Sequence, residues 1–322
     1  TEAQVNWTLA EGSLLTSGIE LQYNKVTSSI FGDRNSNGFG IYFQWEYHFS
    51  NALLLTLGAR YDFSQLDTLD SSSDISPKVG INYKFSDATI FRASAGKGFR
   101  APTLAEAFTS TTTSGITVKP NPDLKSETSY SVEVGGNQEV STNLFLDLAL
   151  FYNDYQNFIE PIIDPTDGKI VFENITHARV RGLEFSSTLL LFNKMINVKA
   201  GYTFLNSEDL ETGKELKYRP KHSFIFSIDY SIGKFLCGLD FRYNSRVDEI
   251  DDTLIDFGFV PDGDERVDIK VLDIRAGYNL MIDKLPLRIY LNANNILNYN
   301  YVEMIGNLAP IRNYSLSIDF MF

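Results

Sequence analysis

Apolar and polar residues alternate with a period of two over most of the chain. The last stretch is a clean example. Tyr314, Leu316, Ile318, Phe320 and Phe322 fall on one side, with Ser315, Ser317, Asp319 and Met321 between them. Successive side chains of a strand point to opposite faces, so this spacing predicts a strand with one apolar and one mostly polar face. Phe39, Ile41, Phe43, Trp45, Tyr47 and Phe49 repeat the pattern against Gly40, Tyr42, Gln44, Glu46 and His48. Further strands are predicted over 5–9, 15–23, 53–63, 79–85, 91–95, 130–134, 144–152, 196–204, 224–230, 235–243, 272–280 and 287–293. A long strand ending near Leu191 starts from Asp167-Gly168, a pair that readily takes the positive φ of a hairpin turn.

The connections between these strands alternate in length. Those at 11–13, 50–51, 86–88, 141–143, 192–195, 231–234 and 282–286 are short, whereas 25–37, 100–127, 207–219, 245–266 and 299–312 are long. A soluble meander has no reason to sort its turns this way. A transmembrane barrel does, because its periplasmic turns are short and its extracellular loops long. The fold class expected is therefore all-β, a transmembrane antiparallel β-barrel whose apolar rows meet lipid and whose polar rows line a lumen. A soluble β-sandwich is the alternative, and it would turn the same apolar rows inward. About fifteen strands are expected, and the first runs toward a short turn, whereas single-chain barrels normally have an even number of strands. An open sheet edge is costly in lipid, so the chain is expected to begin mid-barrel, with further strands outside it.

Composition narrows the function. The 322 residues carry a net charge of −13, which argues against a nucleic-acid partner. No run approaches the roughly 18 apolar residues of a membrane helix. Trp7, Trp45 and the 17 Tyr suit interfacial belts or lumen lining better than a cofactor cage. The lone Cys237 sits in the row of Phe235, Leu239 and Phe241, as a small lipid-facing hydrophobe rather than a reactive thiol.

Between two predicted strands lies Gly96-Lys97-Gly98-Phe99-Arg100-Ala101-Pro102-Thr103-Leu104-Ala105-Glu106, followed by Asn121-Pro122-Asp123-Leu124-Lys125-Ser126-Glu127. These segments closely resemble the paired boxes of TonB-dependent outer-membrane receptors, carried by Phe99, Arg100, Ala101 and Pro102 and by Asn121, Pro122, Asp123 and Leu124. Arg181-Gly182-Leu183-Glu184, Arg219-Pro220-Lys221-His222 and Asn294-Asn295-Ile296-Leu297 are fainter echoes. Ser126 departs from the family, which often has proline there. The terminal Phe322 resembles the C-terminal signature that the barrel assembly machinery recognises. The resemblance implies a plugged barrel of about 22 strands. It also implies a location in the bacterial outer membrane, with lipid and lipopolysaccharide around it. The plug and the segment that engages the TonB complex would lie upstream of these residues. The implied activity is TonB-driven import of a scarce nutrient, a ferric siderophore first and cobalamin or another chelate second. It is transport, not bond-breaking. A passive porin and an outer-membrane enzyme are the alternatives, and the sequence offers no nucleophile or acid pair near a histidine for the latter.

Candidate chemistry is sparse. Phe99, Arg100 and Arg242 are the candidates for substrate contact. Arg100 has a second reading, favoured here, in which it pairs with Glu106 or Asp123 and folds its loop. The segment 107–120 is rich in Thr and Ser and holds no histidine, which argues against haem ligation there. Asp248, Asp251, Asp252, Asp262 and Asp264 sit in an acidic loop where calcium is conceivable, but their spacing matches no complete calcium loop and a solvated loop is the better reading. No resident cofactor is expected beyond that. Glu20, Glu46, Arg60, Asp62, Lys84, Arg92, Glu133, Asp147, Glu184, Lys199, Asp240, Arg242, Arg275 and Arg288 are assigned to the lumen, where most should be structural. His48, His177 and His222 share no metal spacing.

Overall fold

The computed structural model describes residues 1–113, 115–250, 253, 256, 266–282, 285–304 and 307–320. Within them a single antiparallel meander carries the chain. Its long strands are β1 (Glu2–Ala10), β2 (Ser13–Ser28), β3 (Gly32–Ser50), β4 (Leu53–Leu66), β5 (Ser72–Ser86) and β6 (Thr89–Arg100). After a helix, α1 (Leu104–Phe108), and a small hairpin, β7 (Thr111–Thr113) and β8 (Ile116–Val118), come β9 (Glu127–Ser141), β10 (Leu144–Ile163) and β11 (Ile170–Leu191). Then follow β12 (Ile196–Asp209), β13 (His222–Ile232), β14 (Phe235–Asn244), β15 (Ile269–Ile282) and β16 (Leu285–Asn294). A second small hairpin, β17 (Val302–Met304) and β18 (Asn307–Leu308), precedes β19 (Asn313–Phe320). Each long strand pairs with the next, β6 with β9 across the first hairpin and β16 with β19 across the second. That makes fifteen long strands, in line with the alternation.

Two kinds of connection occupy opposite ends of this sheet. At one end the chain turns over residues 11–12, 51–52, 87–88, 142–143, 192–195 and 233–234. At the other it crosses 67–71, 101–126, 164–169, 210–221, 245–268 and 295–312. One long loop is corrected. Residues 25–37 continue the β2–β3 ladder through Lys25↔Asn35 and Ser28↔Gly32, leaving a connection of 29–31 only. β10 and β11 likewise run on to Ile163 and from Ile170. Above the apolar band both faces of a strand meet water, so the contrast that betrays a strand vanishes although the hydrogen bonds go on. The Asp167-Gly168 turn is longer than a two-residue hairpin; Gly168 has φ +69°, and its amide bonds to the Asp164 carbonyl at 2.8 Å.

The apolar rows lie bare. Val5, Leu21, Ile41, Phe43, Ile81, Leu150 and Leu316 are exposed, and among the described residues no second sheet covers them. A sandwich would bury them, so that alternative is set aside. The buried apolar cluster sits among the outer loops instead, where Leu66, Ala107, Phe108, Leu124 and Ile159 pack with Phe31, Leu69, Leu104 and Phe172. Cys237 is exposed on the outward row, as expected.

An arginine in the middle of an outward row meets hydrocarbon, whereas one on the inner face meets water and counter-charges. Ile81→Arg, near the centre of β5, should destabilise the folded protein by about 2–4 kcal/mol, and Ser94→Arg on the inner face of β6 by far less. Urea unfolding in lipid vesicles measures the difference.

Candidate functional site

The paired segments on either side of α1 form one node at the outer end of the sheet. β6 ends on Arg100 and β9 begins on Glu127, and the ladder sets the two opposite each other. Thr103 caps α1 by accepting the Glu106 amide at 3.1 Å, and the Glu106 carboxylate accepts the Thr103 amide at 2.7 Å. This reciprocal cap satisfies orphan donors of the first turn and aims Glu106 back toward β6. Arg100 then donates Nη1 to both Glu106 oxygens at 2.9 Å, and Nε and Nη2 to Glu127 at 2.6 and 2.8 Å. Glu127 is only 7% exposed and also accepts the Ile159 amide at 2.5 Å. Arg100 is therefore engaged by two carboxylates in the fork geometry that suits guanidinium.

Of the two partners the sequence offered for Arg100, Glu106 is one and Asp123 is not. Leu124 turns into the buried cluster, and that leaves Asp123 facing solvent, its amide bonded to Asn121 Oδ1 at 3.1 Å. Glu127 was part of the quoted motif, but only the strand register reveals that it faces Arg100. The rest of the segment is tied to the β10–β11 hairpin. Asn121 donates to the Phe172 carbonyl at 2.8 Å, Asn174 accepts the Lys125 amide at 2.8 Å, and Lys119 pairs with Asp164 and Asp167. On the other side Arg34 lies 4.1 Å over the Phe108 ring and holds Asp67 at 2.6 Å. Ser126, the departure from the family pattern, has a buried hydroxyl with no partner among the described residues, so proline there would forfeit no hydrogen bond of that side chain seen among them.

The inner face carries three further arginines, each between two carboxylates on different strands or positions. Arg60 reaches Glu20 at 2.8 Å and Asp62 at 2.7 Å; Arg92 takes both Asp147 oxygens at 2.7 and 2.9 Å and Glu133 at 3.1 Å; Arg275 pairs with Asp229 and Asp240. Arg60 crosses β3 at Gly40 and Arg275 crosses β14 at Gly238, where a Cβ would collide with the guanidinium. The glycines let long side chains lie flat on the wall. Two recesses open on this face. One, about 670 Å³, is lined by Lys199, Ile225, Asp240, Arg242, Asp273 and Tyr301. The other, about 610 Å³, is lined by Lys78, Ser94, Glu133, Asn153 and Glu184.

The remaining candidates disperse. Arg242 bonds to the Tyr301 hydroxyl at 2.9 Å and lies 5.6 Å over its ring, far from Arg100 in the chain and on the inner wall rather than at the node. Phe99 is half-buried on β6 beside Arg100. Of the acidic-loop residues, Asp248 is held by Lys221 at 2.8 Å, while Asp251, Asp252, Asp262 and Asp264 lie outside the described residues, as does Phe322. His177 bonds to Asp154 at 2.6 Å and His222 to the Tyr202 hydroxyl at 2.8 Å, on different strands.

Four carboxyls of the outer loops, Glu106, Asp164, Asp167 and Asp248, titrate low. Burial favours the neutral form of Glu106, but the Thr103 amide and the Arg100 guanidinium outweigh it and hold the group below the usual carboxylate range. The Lys119 ammonium, with the Thr166 hydroxyl and amide, holds Asp164 far below that range. A depressed folded pKa contributes stability above the ordinary value of about 4 that is lost as pH falls through the folded value. Protection of the Ala107, Thr109 and Asn121 amides against hydrogen exchange, taken relative to the intrinsic rate at each pH, should therefore fall below about pH 4. At neutral pH Glu127→Gln should lower their protection by about 1–3 kcal/mol, and Asp123→Asn should leave it unchanged.

A profile of the family described as TonB dependent receptor-like, beta-barrel matches residues 2–296. Among curated relatives, hemoglobin and hemoglobin-haptoglobin-binding protein B of Haemophilus influenzae is 33% identical over 139 residues, which is 39% of this chain and 13% of that protein. Among solved structures, the copper transporter OprC superposes with a TM-score of 0.79 at 15% identity, over 98% of this chain and 55% of that one. The siderophore receptor PirA from Acinetobacter baumannii gives 0.74 at 19%, over 98% and 53%. These structural likenesses show the fold, and the chain spans about half the length of those structures. With a profile running through nearly every strand of the meander, the chain belongs to the TonB dependent receptor-like beta-barrel family of the bacterial outer membrane.

Proposed function

We propose that this chain is the wall of an outer-membrane receptor that imports a scarce metal-bearing nutrient, with a ferric siderophore or similar chelate as its substrate. The observation that carries the reading is the family profile over 2–296 of a sheet whose inner face is charged, paired and recessed. Names borne by relatives point the same way. A Vibrio cholerae protein 26% identical over 195 residues is called an iron-regulated outer membrane virulence protein, and a Pseudomonas aeruginosa protein 25% identical over 202 residues a ferric enterobactin receptor. Solved relatives are about twice as long, which supports a plug, further strands and a TonB-contact segment in sequence outside these 322 residues. The TonB complex would supply the energy, and the barrel assembly machinery would read the C-terminal strand. Arg100, gripped by Glu106 and Glu127, is assigned to shaping the outer loops. Arg242, at the recess with Tyr301, is the first candidate for chelate contact, with Phe99 as a weaker one.

Radiolabelled iron uptake by cells carrying the intact receptor tests this. Uptake of one of a panel of ferric chelates should saturate and should stop when a protonophore collapses the inner-membrane gradient. Arg242→Gln should raise the half-saturating concentration about tenfold, the loss of one charge-assisted contact. Steady ionic current through the purified receptor in planar bilayers, with uptake indifferent to the protonophore, would show a passive pore instead.

A further inference from the structure

Arg60, Arg92 and Arg275 of the inner wall and Arg100 of the outer node are each gripped by two carboxylates. Two arginines on the opposite face are not. β11 places Leu191, Leu189, Phe185 and Leu183 on its outward row, then His177, Arg179 and Arg181 at the next three outward positions. Among the described residues no other strand sets three basic side chains in succession on its outward face.

Their height follows from strand geometry. Leu191 to Leu183 is eight steps of about 3.3 Å, which a tilt near 40° reduces to about 20 Å of vertical rise. Arg181, one pleat higher, falls at the outer edge of an apolar band about 25 Å tall. The neighbouring strands agree. Tyr152 on β10 lies opposite Arg181, and Phe204 on β12 is opposite Leu183, one pleat below Asn206. The basic cluster therefore sits immediately above an aromatic rim, at the level of the outer-leaflet headgroups.

Its hydrogen-bonding capacity is largely unused. Arg181 is exposed and donates Nε to Asn206 Oδ1 at 3.0 Å, and its two terminal nitrogens meet no acceptor among the described residues. Arg179 lies 5.6 Å over the Tyr152 ring, its Nη2 is 3.8 Å from Asp154, and its buried Nε meets no acceptor among the described residues. Asp154 is engaged more closely by His177 at 2.6 Å. Glu208 stands in register with Arg179 without pairing to it among the described residues. Guanidinium forks with open donors, set beside an apolar surface, suit the oxygens of a phosphate carried on a lipid.

We propose that the outward face of β10, β11 and β12 binds the phosphate of an outer-leaflet lipid headgroup through Arg181 and Arg179, with the acyl chains lying on the Leu183 and Leu150 rows below. The assignment rests on the outer-membrane placement of the barrel and not on its substrate, so it stands or falls separately from iron uptake.

Native mass spectrometry of the intact receptor with diphosphoryl lipid A, or with the same lipid dephosphorylated, tests it. The wild type should retain the phosphorylated lipid about tenfold more than the dephosphorylated one. Arg179→Gln with Arg181→Gln should bring the two within about twofold, and Arg179→Lys with Arg181→Lys should keep most of the preference. Lys84→Gln, which removes a cation from the short-turn end, should change nothing. Gel mobility with and without heating reports whether each barrel is folded, and if the double glutamine variant is not, Arg181→Gln alone is read in its place. Equal retention of the two lipids by the wild type would overturn the proposal, as would an unchanged preference in the folded glutamine variant. Displacement of the lipid by inorganic phosphate at its own low concentration would also overturn it, since that marks a site for a free anion.

Discussion

Hydrocarbon offers a backbone no hydrogen bonds. Each amide and carbonyl that crosses it must be satisfied by the protein, and a closed sheet is one of two structures that manage this. Antiparallel ladders join each of the fifteen long strands to the next and meet this demand between them, while β1 and β19 are each laddered on one side among the described residues. Once the backbone is settled that way, side chains have only two destinations. The period of two sends one set to lipid and the other to the lumen.

The consequences differ on the two faces. Outside, bulky apolar residues need no complement other than acyl chains, so they remain bare in the protein. Inside, charge must be answered close at hand. Arg60, Arg92 and Arg275 each meet two carboxylates, and a glycine beneath makes room for Arg60 at Gly40 and for Arg275 at Gly238. A sheet one layer thick has no interior to pack. The buried cluster forms instead where loops stack over the outer end, around Phe108 and Leu124, and the Arg100 node pins α1 and β9 to it.

Much of this was legible in the residues. Wherever a strand separates lipid from water its alternation is plain, which is why rows such as 39–49 and 314–320 were placed with their faces. Legibility fails where both faces see water. Residues 25–37 look like a polar loop and are a continuation of the β2–β3 ladder. α1 is five residues long, too short for a helical period to show. At the node, Arg100 and Glu106 are close in sequence and their pairing could be read, whereas Glu127 is opposite Arg100 only because β6 and β9 pair across twenty-six intervening residues. Asp123 had the right charge in the right segment, but the turn that buries Leu124 directs it to solvent. The outward basic cluster at His177, Arg179 and Arg181 was hidden for a related reason, since its meaning depends on height above the apolar band.

The central claim is that lipid, not protein, covers the odd-numbered face of β3. Spin labels placed singly at residues 39–47 of the intact receptor in lipid vesicles, with Cys237 replaced by serine, measure this directly. Collision with oxygen should peak at 39, 41, 43, 45 and 47, and collision with a water-soluble nickel chelate at 40, 42, 44 and 46. Oxygen and nickel profiles without that opposed two-residue rhythm, or with the nickel maxima on the odd positions, would contradict it.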